Sequence, residues 1–273
     1  MSLIEMKDAL TQVTGRQWAA RLLIAASSLV ALAAFAWPFF AAAAPVQLRD
    51  AVPVIAFAVL PVLGVLISLT LEPSVNSAKS LALLGVLAAV GSVVRIATTG
   101  VAGFEAVFIV LILGGRVLGA RFGFLLGMLT IVLSAVVTGG LGPWTPFQMF
   151  AAGWVAAGAG LLPGRASMGR RHNRSRRDRW IELSWVIGYA IVASYLFGAI
   201  MNLWFWPFAV GSATSISYVP GGSVPLNLSH FTVYTLVTST LTWDTVRAVT
   251  TAAGIALIGP VALAALRRAK IDV

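Results

Sequence analysis

Apolar residues fall in long unbroken blocks along this chain, and polar residues collect between them. Eight blocks stand out: 22–44, 51–70, 78–98, 104–115, 122–138, 147–162, 181–206 and 245–266. A helix of about 20 apolar residues crosses the ~30 Å hydrocarbon core of a bilayer, so the pattern predicts transmembrane helices. The fourth block reaches only roughly 18 Å at 1.5 Å per residue, which predicts a short or tilted helix. Pro38 sits late in the first block, and Pro53 and Pro61 interrupt the second, so bends are expected there. The first block is too long for the apolar core of a secretion signal and a second follows at once, so it reads as an uncleaved helix. The polar link from Glu72 to Ser77 divides the chain into 1–77, with two predicted helices, and 78–273, with six.

Composition agrees with this pattern. The chain is 59% hydrophobic and 10% charged, which sets the fold class as an all-α integral membrane protein of about eight transmembrane helices. The net charge of +10 would suggest nucleic acid in a soluble protein. Here the cations sit between apolar blocks, which is the positive-inside pattern, and no nucleic-acid partner is implied. With alternating helices, one side collects Lys7, Arg16, Arg21, Lys79, Arg116, Arg121, Arg267, Arg268, Lys270 and the seven arginines between Arg165 and Arg179. Only Arg49, Arg95 and Arg247 fall on the other side. Both termini are therefore expected inside, in a plasma membrane.

Chemical motifs are few. There is no cysteine, and His172 and His230 lie in separate loops, so neither a disulfide nor a metal site is expected. Phosphate-binding loops, zinc-protease motifs and nucleophile elbows are missing, so no cofactor, nucleotide or enzyme activity is implied. Only nine residues are acidic, mostly at block ends, which disfavours an autonomous ion-driven pump.

Small residues are the commonest interaction feature. Ala78, Ala82, Gly85, Ala89 and Ser92 recur every three or four positions, and such a stripe lets a second helix approach closely in lipid, within this bundle or from another subunit. Gly119, Gly123 and Gly127 form a second stripe, and Gly153, Ala156, Ala157 and Gly160 a third; both suit internal packing.

Candidate binding residues gather on the side that lacks cations. In the GPWTPFQM turn, Trp144, Phe147 and Gln148 suit capture of a flat ring by stacking and a hydrogen bond, although interfacial tryptophan is also ordinary belt behaviour. Asn202, Trp204 and Trp206 end the seventh block on the same side. Trp243, Asp244 and Arg247 open the eighth; Asp244 and Arg247 are spaced to pair with each other, or Arg247 could meet a ligand carboxylate or phosphate. Arg95 and Glu105 flank another turn there and read as partners of each other or of headgroups. The connector 208–243 is either a lid or a surface segment, with Asn227 as a candidate helix cap.

Several of these pieces, in this order, carry a family resemblance. Ala78 and Ala82 at a helix start, the run VFIVLILGGRVLGARFGFLLGML, the GPWTPFQM turn leading into AGWVAAGAGLLPG, the arginine-rich loop and the ending TSTLTWDTVRAVTTA resemble the substrate-specific (S) component of energy-coupling-factor (ECF) vitamin transporters, in their actinobacterial form. The resemblance implies a six-helix bundle that binds a vitamin or related micronutrient and docks on a transmembrane T component and two cytoplasmic ATPases. It implies T-component contact at Ala78 and Ala82, with Gly85 continuing that face. The aromatic mouth leans towards a ring-bearing ligand such as cobalamin, riboflavin or a pyrimidine. Two helices ahead of the six depart from the family pattern. The rival reading is a polytopic membrane scaffold or membrane enzyme with no link to ATPases.

Overall fold

The computed structural model describes residues 22, 24–48, 50–71, 78–98, 104–163, 175–211 and 214–269, and every regular element among them is helical. In order these are α1 (Ile24–Phe35), α2 (Trp37–Ala43), a 3-10 turn (Val46–Leu48), α3 (Ala51–Leu71), α4 (Ala78–Thr98), α5 (Val107–Leu118), α6 (Ala120–Thr138), α7 (Thr145–Leu161), α8 (Arg176–Ala209), α9 (Val224–Thr235), a π segment (Leu236–Asp244) and α10 (Thr245–Ala269). The expected cations before residue 22, the link 72–77, most of the arginine loop at 164–174, and Lys270 lie outside the described residues. Among the described residues four helices are long and apolar enough to cross a membrane, or five if α1 and α2, bent by 60° at Ala36, form one span. At 12 residues, α5 is short, as its block predicts.

The largest departure from the sequence pattern concerns the last helix. It starts at Val224 rather than near 245 and runs for 46 residues through the π segment. Ser223 caps it by accepting from the Leu226 amide, and Pro225 fits the first turn, where no amide is needed. Within the Ser/Thr run, hydroxyls such as those of Thr232 and Thr238 donate to the carbonyl four residues back, which satisfies them without leaving the helix. The connector thus shrinks to residues 210–223. Asn227 is not the cap: fully buried, it clasps the Val219 peptide, accepting from its N–H and donating to its carbonyl. A 46-residue helix spans roughly 69 Å at 1.5 Å per residue, over twice the ~30 Å hydrocarbon core.

Close helix approach organises the centre. A Cβ at Gly123 would meet the Ala156 carbonyl oxygen at 2.7 Å, and one at Gly127 the Ala152 carbonyl oxygen at 2.4 Å. Only glycine lets α6 and α7 lie this near, so the second and third stripes pack internally. Their phenylalanines, Phe124 and Phe150, fill the layer between them. The α4 stripe divides. Ser92 turns inward and donates to the Ala88 and Thr130 carbonyls, whereas Ala78, Ala82, Gly85 and Ala89 are exposed. Among the described residues, no atom of another element comes within 4 Å of a Cβ built on Gly85.

The N-terminal helices take up the other flank. α4 packs on α5 and α6, whereas α2 packs on α8 and α9, and α3 on α7. Trp154 donates its indole N–H to Ser28 of α1, and Tyr218 donates its hydroxyl to the Pro38 carbonyl. These helices therefore lie away from the exposed stripe of α4.

Candidate functional site

Buried charge marks both ends of the bundle, and the two ends differ. At one end Arg116, 2% exposed, donates from Nε to Glu182 and from its two terminal nitrogens to the Leu162 and Pro163 carbonyls. Arg267 donates to the other Glu182 oxygen. One carboxylate thus ties the C-terminal ends of α5, α7 and α10 to the first turns of α8, and Arg116 satisfies carbonyls that the end of α7 leaves unpaired. These groups bond to one another and offer a ligand little.

At the opposite end the charge is spread over more elements. Asp244, fully buried at the end of the π segment, accepts from Arg247 at 2.6 Å and from the Ser239 hydroxyl at 2.9 Å. Arg247 donates Nε to Glu105, just ahead of α5, and reaches the Ser194 carbonyl of α8. Its guanidinium carbon lies 5.0 Å from the Phe197 ring and 5.5 Å from the Phe108 ring. Cation–π contact and two carboxylates make this buried cation tenable. Arg95 on α4, within electrostatic reach of Glu105, donates to Ser134 of α6 and to Gln148 of α7. Two bonded groups, Asp244–Arg247–Glu105 and Arg95 with Ser134 and Gln148, therefore form a polar chain across the bundle whose step from Glu105 to Arg95 is electrostatic.

Local backbone design holds it in place. A Cβ at Gly198 would fall 1.9 Å from an Asp244 carboxylate oxygen, so α8 makes room for that carboxylate only with glycine. The π segment widens the turn before Asp244; such wide turns recur at functional sites because they redirect one side chain without breaking a helix.

Beside the polar chain lies an aromatic cluster. Phe147 and Trp204, both buried, stack with centroids 4.6 Å apart and planes 13° from parallel. Phe35 of α1 meets the edge of Phe147, Phe57 of α3 meets both rings, and Trp37 donates its N–H to the Trp204 carbonyl. The two rings thus face each other and the N-terminal helices.

The sequence candidates separate accordingly. Gln148, Asp244 and Arg247 join the polar chain, and Phe147 and Trp204 form the stack. Trp144 is 42% exposed and donates to Gly140 of its own turn, and Trp243 is 48% exposed. Asn202 stands one helical turn beyond Gly198 on α8. Among the described residues, its Nδ2, the Trp204 indole N–H and the hydroxyls of Thr130, Thr235 and Thr251 are buried without a hydrogen-bond partner. Glu105 and Arg95 read from sequence as partners of each other or of headgroups; their reach to Arg247 and Gln148 depends on which helices adjoin. Phe108, Phe197, Ser194 and Ser239 carried no signal beyond apolar or small-polar type. Among the described residues no group of histidine and acidic side chains could hold a metal.

Comparison with known proteins adds the family. Residues 79–266 match the model described as ECF transporter, substrate-specific component. No curated protein and no solved structure matches the chain. The matched segment begins on the exposed face of α4 and ends one residue before Arg267, so it contains the whole polar chain, the π segment and both members of the stack. This chain belongs to the family of substrate-specific components of ECF transporters.

Proposed function

We propose that the protein is the membrane-embedded substrate-binding subunit of an ECF-type ABC importer in the plasma membrane, taking up a vitamin or related micronutrient. Both termini and the Arg116–Glu182–Arg267 cluster face the cytoplasm, and the polar chain opens outward. Gln148, Asn202, Asp244 and Arg247 contact the substrate or hold the groups that do, Phe147 and Trp204 supply the aromatic wall, and Trp144 and Trp243 sit at the rim. Residues 78–273 form the substrate-binding bundle and 1–77 an added N-terminal unit. Work comes from ATP hydrolysis on two cytoplasmic ATPases, transmitted by a T component that docks on Ala78, Ala82 and Gly85.

The observation that carries this reading is that a single family-matched segment builds both a bare small-residue face on α4 and a buried polar cluster at one end of the bundle. The first suits helix docking in lipid, and the second suits ligand capture. Co-expression of tagged protein with the T component and ATPases of its host tests it. A stoichiometric complex that retains a small molecule, identified by mass spectrometry, is expected. Purification of the chain alone, with neither partner nor ligand, overturns the proposal.

A further inference from the structure

Cations at the two ends of the bundle are engaged differently. Arg95 and Arg247 are both taken up inside it, by Ser134, Gln148, Ser194, Asp244 and Glu105. At the Arg116–Glu182 end, by contrast, Arg176, Arg177, Arg179 and Arg268 are exposed, and among the described residues none of them enters an ion pair. Arg267 bonds Glu182 and so sets the last turn of α10 beside the first turns of α8, which puts all four arginines at adjoining helix ends. The acidic residues of these turns do not offset them: Glu182 is buried between Arg116 and Arg267, and Asp178 is held in the capping box of Ser175. Nor does α8 gain from its three, since cations in a first turn oppose the helix dipole.

What continues from these arginines identifies the anion they meet. On α8 the exposed face runs Arg177, Ile181, Trp185, Gly188, Val192 and Leu196, and on α10 it runs Leu257, Val261, Ala265 and Arg268, each at helical spacing. Both helices are long and apolar enough to cross a membrane, so these faces meet lipid. Trp180 and Trp185, 60% and 52% exposed, lie between the arginines and the aliphatic residues. Arginine, then tryptophan, then aliphatic is the order of headgroup, interface and hydrocarbon. An arginine at the top of such a face lays its stem on apolar surface and offers its planar fork to phosphate oxygens. We infer that Arg176, Arg177, Arg179 and Arg268 form a contact surface for acidic phospholipids, gathering them from the adjoining leaflet, with Trp180 and Trp185 anchored among the headgroups. This flank differs from the exposed face of α4, which packs on α5 and α6, so lipid can occupy it whatever docks on α4.

The inference needs only a bilayer and stands apart from the transport reading. Because the chain has no cysteine, a single one can be introduced and labelled. Full-length protein with a fluorophore on Ser184→Cys, at an exposed position of α8, or on Leu81→Cys, on the exposed face of α4, is reconstituted into phosphatidylcholine nanodiscs. These contain a minor fraction of phosphatidylglycerol or of phosphatidylcholine with a nitroxide high on its acyl chain, and quenching is compared. At Ser184 the phosphatidylglycerol should quench at about one fifth of the mole fraction that phosphatidylcholine needs, the enrichment expected from attraction to a single arginine. That preference should vanish in high salt, which screens exposed charge, and in the variant with all four arginines changed to glutamine. The salt titration needs no substitution and decides if that variant does not fold. At Leu81, where Lys79 is the neighbouring cation, the preference should be less than about half as large. Equal quenching by the two lipids at Ser184, a preference that survives salt, or the same preference at Leu81 overturns the inference. Equal quenching together with loss of the T component or ATPases from the glutamine variant assigns the four arginines to a protein partner instead. Co-purification of the unsubstituted chain with those partners is scored separately, so failure of the lipid contact leaves the transport reading standing.

Discussion

Trp37 donates its indole N–H to the backbone carbonyl of Trp204 at 3.0 Å, across 167 positions of sequence. The bond fastens the α1–α2 elbow onto the end of α8 where Trp204 stacks on Phe147. Phe35 and Phe57 close the same cluster from α1 and α3. Three helices that the family match does not cover, α1 to α3, are thus built into the aromatic wall of the matched bundle.

Trp37→Ala should therefore cost about 3–5 kcal/mol, as expected for a buried aromatic, whereas Trp37→Phe should cost about 1 kcal/mol, the share of the hydrogen bond. Denaturation of the purified protein in mild detergent reads both. Equal effects would mean that ring burial contributes nothing beyond the bond.

The Arg116–Glu182–Arg267 cluster predicts a compensating pair. Glu182→Leu leaves the buried Arg116 guanidinium without its carboxylate and should destabilise the protein by about 3–5 kcal/mol. Adding Arg116→Met removes the stranded charge and should recover a large part of that loss, although the carbonyls at the end of α7 then lose their donors. The double-mutant cycle, read by thermal unfolding, measures the coupling.

Gly198→Ala places a methyl where an Asp244 oxygen lies, so Asp244 must leave Arg247 or α8 must move. Ligand affinity should fall at least tenfold. Gly188→Ala, earlier on the same helix and with no atom of another described element within 4 Å of its Cβ, should bind normally and gain up to about 1 kcal/mol of helix stability. Titration and unfolding of the two variants side by side make the comparison.

On α4 and α6, glycine substitutions should separate docking from folding. Gly85→Leu has open space in the isolated chain and should fold and bind ligand while losing co-purification with a T component; Ala78→Trp should behave likewise. Gly127→Leu collides with the α7 backbone and should fail to yield folded protein. Intact assembly of Gly85→Leu and Ala78→Trp would remove the docking assignment.

Membrane class, the shortness of α5 and the internal packing of the α6 and α7 glycines were legible in one dimension. Block length and small-residue spacing are local properties that bilayer thickness and helix geometry translate directly. The α4 stripe was visible too, but its division was not. Whether Ser92 turns towards Thr130 while Gly85 stays bare depends on where α6 passes.

Sequence also placed Asp244 and Arg247 within reach of each other, because an i, i+3 spacing on a helix needs no partner element. Only tertiary structure joined them to Glu105, 142 positions away, and to Arg95 and Gln148. It alone turned Trp204 and Phe147 towards each other, gave the N-terminal helices their place, and extended the last helix back to Val224. The physical reason is the same in each case. In an apolar environment a buried polar or aromatic group takes the partner that helix packing brings to it, and that partner is set by which helices adjoin, which no local pattern encodes.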